Sequence, residues 1–413
     1  MKSATNGLVI AGVAALAMSQ MLSGCAKNAA QKPAAASGGD AAASKAAPKA
    51  QAGATEGVAA SVPDAVRIAE IREKALTVIE QSANNNDGQV RGYAADAAGM
   101  AGRRLGPVLM KALDDPAPGV RAMAAMAAGR NRVSEASARL QSLTNDESAF
   151  VRASAIFGLK KMGQSPDPSP LAGWLTGANV PANLRSHAAW VLGEMGERSA
   201  IAMLKEAARV RVSKDRASDV ALFQLQCGEA RIKLGDNDPI EGVRAALFPA
   251  RPEDFEAAVL AVQIIGEVKD RGSIDQLIYL SSYKDPQGNL MPPEFRLACS
   301  TALAKMGLDQ GSFVADEYAT NGSETIRQQA ASVYGYTAKA QHFTALETML
   351  NDSSPMVRVV AASAIIRAHA RMNGQRLPYL DKASPQRHRG TERGRGVRLE
   401  ALKELNRGKQ ESK

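Results

Sequence analysis

The sequence predicts an all-α solenoid of about eight to nine helix pairs, and three observations favour it. A motif occurs seven times, in two runs with steps of 30 to 33 residues, and amphipathic segments separate its copies. Aromatic residues make up only 4% of the 413 residues. The core must therefore be filled by small side chains, which lets helices pack closely. A fixed period of roughly 20–50 residues is the signature of stacked repeats.

The first 25 residues have the pattern of an export signal. Lys2 is followed by an apolar run without charge, Gly7 to Met18, which is too short to span a bilayer. Leu22-Ser23-Gly24-Cys25 resembles the lipobox of bacterial lipoproteins, in which the Cys becomes the lipidated N-terminus. The resemblance implies a signal peptide over residues 1–24 and lipid on Cys25, so that membrane attachment needs no transmembrane helix.

The residues after Cys25 predict where the protein is held. Ala26, not Asp, follows the Cys, which implies the outer membrane, facing the periplasm, in a Gram-negative source and the outer face of the cell membrane otherwise. Residues 25–62 consist mostly of Ala, Gly, Lys, Pro, Ser and Gln. Such a segment buries too little apolar area to offset its ordering entropy. We expect a disordered tether.

The repeated motif begins with an apolar residue followed by Arg. Small residues stand four and five places after the apolar one. In several copies a Gly follows nine or twelve places on, where a neighbouring helix approaches closely or a helix ends in a left-handed cap. The copies begin at Val90, Val120, Val151, Leu184, Phe295, Ile326 and Val357.

Second segments between the copies have apolar residues three and four apart, as a helix that buries one stripe requires. Each unit is therefore predicted to be a helix pair. The clearest segments are Ser134 to Leu143, Ser199 to Ala208, Ser273 to Tyr283 and Gln341 to Leu350.

In its copy at 115–125 the motif resembles the HEAT-repeat family, in particular the short bacterial type also found in phycobilisome lyases. The resemblance spans about residues 85–370. It implies a right-handed α-solenoid over 63–375, an elongated arc whose concave face binds other proteins. Residues 209–294 depart from the pattern and are predicted to form two degenerate repeats. A first helix, Val66 to Gln81, is expected to cap the stack.

The Arg of the motif forms a column with one member in each copy. One hypothesis is a row of guanidinium groups that bind a ligand. The favoured hypothesis is structural: each Arg meets an Asp or Asn of the turns between repeats, forming a ladder of charge-assisted hydrogen bonds. The column comprises Arg91, Arg121, Arg152, Arg185, Arg296, Arg327 and Arg358.

The sequence predicts no catalytic, cofactor-binding or metal-binding residue. The four histidines, His187, His342, His369 and His388, lie in different units or in the tail, and none is followed by Glu. A metal site needs three or four converging ligands. Cys299 occupies the small-residue position of its repeat, so a buried, inert thiol is expected there.

The net charge of +9 is uneven along the chain. Residues 63–375 hold 35 basic and 35 acidic residues, whereas residues 376–413 hold eleven basic and five acidic ones. Only this tail could bind a polyanion, since such binding needs concentrated positive charge. The alternative is a solvated, disordered end.

Together these observations predict a lipid-anchored, non-catalytic scaffold in the cell envelope that binds an unidentified protein partner. We infer no cofactor and no small-molecule substrate. Two alternatives stay open: a lyase-like or accessory subunit of a tetrapyrrole-handling enzyme, implied by the repeat subtype, and polyanion binding through the tail.

Overall fold

The computed structural model describes residues 62–374, except 211, 213, 214, 250 and 286. Within these residues the chain forms eighteen α-helices, so the all-α solenoid is confirmed. Cys25, the tether and the tail lie outside the described residues. The helix pairs are α1 Ala65–Ser82 and α2 Gly88–Met100, α3 Gly106–Ala112 and α4 Pro118–Asn131, α5 Ser137–Leu143 and α6 Ala149–Lys161, α7 Ser169–Thr176 and α8 Ala182–Met195, α9 Ala200–Ala207 and α10 Ala217–Lys233, α11 Ile240–Ala245 and α12 Phe255–Val268, α13 Ile274–Ser282 and α14 Pro293–Lys305, α15 Ser312–Tyr318 and α16 Glu324–Thr337, and α17 His342–Met349 and α18 Pro355–Met372.

The even-numbered helices form an inner layer and the odd-numbered helices an outer one. Each inner helix packs against the next along the chain, from α2 to α18. The four amphipathic segments predicted between the motif copies correspond to α5, α9, α13 and α17. The irregular region 209–294 also folds into helix pairs, as predicted.

The solenoid closes into a ring, which corrects the prediction of an elongated arc. Helix α18 packs against both α1 and α2, and one hydrophobic core joins the first units to the last. Glu347 of α17 pairs with Arg67 and Lys74 of α1 at 2.8 and 2.6 Å. Helix α1 is therefore no cap. It bridges the last unit and the first, and leaves no free end among the described residues.

Ring closure encloses the predicted concave face. The guanidinium of Arg130 on α4 lies 5.7 Å from the ring centre of Trp190 on α8, two inner helices away. Arg371 on α18 reaches the carbonyl oxygen of Ala304 on α14 at 3.5 Å. Side chains of next-but-one inner helices therefore meet on the inner surface, and that surface is enclosed by the ring.

Glycine permits the closest contacts between inner helices. A Cβ on Gly129 would lie 2.4 Å from the Cα of Gly158 on the next inner helix, nearer than real atoms approach. Gly196 and Gly307 end their helices at φ of 81° and 84°, where a side chain is strained. Both roles were predicted from the spacing of these residues in the repeat.

Candidate functional site

The inner helices all run in the same direction because each returns through one outer helix and two short turns. Their first turns therefore meet at one edge of the ring, the N-terminal rim, and their last turns at the other, the C-terminal rim. The predicted Arg column lies on the N-terminal rim. An unpredicted column of charged residues lies on the C-terminal rim.

The N-terminal rim carries a ladder of Arg and Asp. Arg121 donates to both carboxylate oxygens of Asp146 in the next turn at 2.9 Å, and to the carbonyl oxygen of Asp115 in its own turn. Asp146 also accepts from the backbone N–H of Ser148, so one carboxylate shapes a turn and joins two repeats. Burial raises the pKa of Asp146, but the hydrogen bonds from Arg121 and from the backbone of Ser148, together with the charge of Arg121, outweigh it and the pKa is lowered.

The seven column members divide into three groups. Arg91 and Arg327 repeat the Arg121 geometry, with Asp115 and Asp352 as partners. Arg185 pairs with Asp215 and Arg296 with Glu317, so these two meet acids outside the regular turns. Arg152 and Arg358 donate hydrogen bonds to backbone carbonyls of their own turns. All seven therefore hold the frame of the ring, and their guanidinium groups do not converge on a common site.

The C-terminal rim carries a second column, ten places after the first apolar residue of the motif. It places one residue from each inner helix around the mouth of the ring. Cations suit this position because the helix dipole is negative at its C-terminus. The column comprises Met100, Arg130, Lys161, Glu194, Lys233, Glu267, Lys305, Tyr336 and Arg367.

Neighbouring members of this second column interact around the rim. Lys233 lies 2.6 Å from Glu194 and 2.5 Å from the fully buried Glu229. Lys305 lies 2.5 Å from Glu267 and, like Arg367, stands over the ring of Tyr336. Sequence reasoning missed this column because its residues change sign from copy to copy.

Attraction between opposite charges outweighs burial in setting the pKa values of this network. Burial raises the pKa of Glu194, but Lys233 and Lys161 outweigh it and lower the pKa to about 2. Burial lowers the pKa of Lys233, but Glu194 and Glu229 outweigh it and the pKa is raised. Lys233 and Glu194 therefore stay ionised at neutral pH, as a structural ion pair does. Neither is poised for proton transfer.

An open groove lies on the outer layer of the described residues, the α10–α12 groove. Its volume is about 470 Å³, within the usual range for ligand pockets. Helix α11, with six residues, is the shortest described helix and leaves the outer layer thin. The lining residues are mostly small or apolar: Ala221, Gln224, Leu225, Gly228, Pro239, Gly242, Val243, Ala246, Phe248, Pro249, Asp254 and Ala257.

The groove lies in the irregular region. Four of the eight exposed large hydrophobic side chains of the described residues fall within 209–294, namely Val210, Phe248, Tyr279 and Leu290. Phe248, 51% exposed, stands on the groove wall. Segment 236–257, which carries much of the lining, holds six acidic residues against two basic ones. Five of the six acids pair with Arg231, Arg244 or Arg251. The surface is therefore apolar, and its border carries a partly neutralised, net negative charge.

The residues that could take part in catalysis or metal binding, Cys227, Cys299 and His187, are buried on three different helices. Cys227 and Cys299 are buried thiols, and burial raises the pKa of Cys227 to about 12. Burial lowers the pKa of His187 to about 3. Within residues 62–374 no group of three or more His, Cys, Asp or Glu is placed to hold a metal ion. His388 lies outside the described residues. No described helix is long and apolar enough to cross a membrane.

The architecture is an α-solenoid closed into a ring. Residues 75–160 and 138–222 match the family model of HEAT repeats, so this part of the chain is similar to HEAT repeats. The α10–α12 groove begins where that match ends. No curated protein matches the chain in sequence.

Three solved structures illustrate the similarity. An engineered protein has 17% identity and a TM-score of 0.30 over 75% of this chain and 92% of its own. Human deoxyhypusine hydroxylase in complex with glycerol has 16% identity and a TM-score of 0.30, over 73% and 98%. The CpcE and CpcF complex of phycocyanin lyase from Nostoc sp. PCC7120 has 18% identity and a TM-score of 0.29, over 62% and 92%. At these TM-scores the likenesses add nothing about function.

Proposed function

We propose that the protein is a lipid-anchored envelope lipoprotein that acts as a non-catalytic HEAT-repeat scaffold and binds one protein partner in the α10–α12 groove. The observation that supports the scaffold role is this groove, an apolar surface that opens on the outer layer of the ring. Solenoid proteins use exposed surfaces of their repeats for binding.

The groove fits a helix with a narrow apolar stripe bordered by Lys and Arg. Gly242 has no atom within 4 Å of the position a Cβ would take, so the floor is open. Leu225 and Val243 provide the apolar base, and the acidic segment 236–257 lies beside them. Amphipathic helices bind such grooves through residues three and four apart, and opposite charges at the border fix their direction.

Filling the groove tests the scaffold role. Gly242→Leu places a side chain in open space, so we expect the protein to fold and lose groove volume. Gly173→Leu is a matched control, because Gly173 is also an exposed helical glycine with no atom within 4 Å and lies outside the groove. A photo-crosslinker at Phe248 would first identify the partner.

Binding of the purified partner is then measured for both variants. We expect Gly242→Leu to weaken binding at least tenfold and Gly173→Leu to leave it unchanged. A synthetic peptide of the crosslinked segment should compete, and it should contain an apolar stripe beside basic residues. Equal binding by both variants would rule out the groove as the interface.

The anchor is tested by metabolic labelling. Cys25→Ser keeps the apolar run but removes the thiol that forms the thioether, so the variant should incorporate no labelled fatty acid. We expect it to stay as a precursor held by its signal segment or to become soluble. If the wild type takes up no label, or the variant takes up as much, the lipoprotein assignment fails while the ring architecture is unaffected.

A further inference from the structure

The chain carries a segment with the chemistry that the groove requires. Leu399-Glu-Ala-Leu-Lys-Glu-Leu405 has leucines at positions 399, 402 and 405, a spacing that places them on one side of a helix. The basic run from Arg387 to Arg398 directly precedes it. Both lie outside the described residues, so the inference depends on the described groove and on the tail sequence.

We propose that residues 399–405 of the same chain occupy the α10–α12 groove and compete there with the partner. This rests on the proposed function, since both occupants use one surface. The small residues Ala221, Gly228 and Gly242 admit a helix, and Leu225 and Val243 offer apolar contacts to its leucines. The basic run meets the acidic segment 236–257, where six acids stand against two bases.

The tail is long enough to reach the groove. Helix α18 ends at Met372, and three steps around the inner ring separate α18 from α12. With helices spaced about 8–10 Å apart, these steps span about 30 Å along the inner layer, and less than twice that along the outer one. Residues 375–398 extend up to about 80 Å. Binding within one chain also benefits from an effective concentration in the millimolar range for flexible linkers.

Photo-crosslinking from the groove tests the proposal in the full-length chain. A photo-reactive phenylalanine analogue at Phe248 should crosslink to residues 399–405 within a monomer, as read by peptide mapping. The matched control is the same analogue at Phe313 on α15, which is 40% exposed and lies nearer to α18 along the ring. Unspecific contact by the tail would label Phe313 at least as strongly.

We expect the yield at position 248 to be at least five times that at 313. It should fall to the control value in Leu402→Asp, which places a charge in the apolar stripe, and in Gly242→Leu, which fills the groove. Equal yields at both positions, or no effect of either variant, would overturn the proposal. So would a crosslink found only between two chains.

The partner assay separates this inference from the proposed function. Leu402→Asp should bind the partner at least threefold more tightly, because the competing segment is removed. If the tail crosslink is absent while the partner still binds in the groove, the inference fails and the scaffold role stands. If the tail crosslinks at position 248 but Gly242→Leu binds the partner as the wild type does, the scaffold interface fails and the tail contact stands.

Discussion

The two rims of the ring hold neighbouring repeats together in different ways. On the N-terminal rim, Arg121 and Asp146 come from consecutive motif copies, and the same pairing recurs at Arg91 and Arg327. On the C-terminal rim, Lys233 joins Glu194 of the preceding inner helix to Glu229 of its own. The first rim repeats one contact, whereas the second combines contacts that differ at each step.

This difference separates local from global determinants. A ladder contact needs only the turn, the Arg and the next turn, so each copy of the motif can form it. A contact on the C-terminal rim depends on which residues the adjacent inner helices carry at that position. Where the last inner helix meets the first, the contact also depends on ring closure, as between Arg367 of α18 and Met100 of α2. We therefore expect the C-terminal rim to be more sensitive to single substitutions.

The largest expected effect is at Lys233. Lys233→Met leaves Glu194 and the fully buried Glu229 without their shared cation. Breaking a buried ion pair on one side costs about 3–5 kcal/mol, measured as the free energy of unfolding in denaturant. The control is Lys160→Met in the last turn of α6, whose partner Glu197 is half exposed and whose loss should cost less than about 1 kcal/mol. Similar losses for both would refute the contrast between buried and exposed pairs.

An intermediate effect is expected within the ladder. Arg121→Ala removes the double contact to Asp146 and should lower the free energy of unfolding by about 2–3 kcal/mol. Arg152→Ala removes contacts to backbone carbonyls and to the ring of Trp174, and should cost about 1 kcal/mol. Arg395→Ala in the tail should change nothing measurable. The same loss for Arg121 and Arg152 would show that the carboxylate does not strengthen the rung.

A smaller effect than that of Arg121→Ala concerns His187, which is buried on the inner layer between the rims. Burial and Arg130 lower its pKa to about 3, whereas the unfolded chain has a pKa of about 6.5. The unfolded state therefore binds a proton that the folded state does not. Stability is fully present above pH 6.5 and falls as the pH decreases, by about 1.4 kcal/mol between pH 7.5 and 5.5.

The control for this pH dependence is His187→Gln, which cannot take up the proton. Burial also lowers the pKa of His342 and His369, so the measured quantity is the difference in pH slope between wild type and variant. A variant with an unchanged slope would show that His187 is protonated without unfolding.

The sequence by itself determined the helix pairs, the positions of their turns and most rungs of the Arg ladder. These follow from contacts between residues about 25 apart, such as Arg91 and Asp115, which recur with each copy of the motif. The left-handed ends at Gly196 and Gly307 are local as well, because only the backbone conformation at one residue decides them.

Only the tertiary structure decided that the solenoid closes, which column lines the C-terminal rim and where the groove opens. Closure depends on the small rotation between successive repeats, summed over nine helix pairs. This sum cannot be read from any single copy of the motif. Closure brings Glu347 to Arg67, 280 residues away in the chain. The groove results from a short outer helix, α11, between two inner helices of ordinary length. Its walls come from three helices, and the periodicity of the sequence predicts each helix but not how the three are placed together.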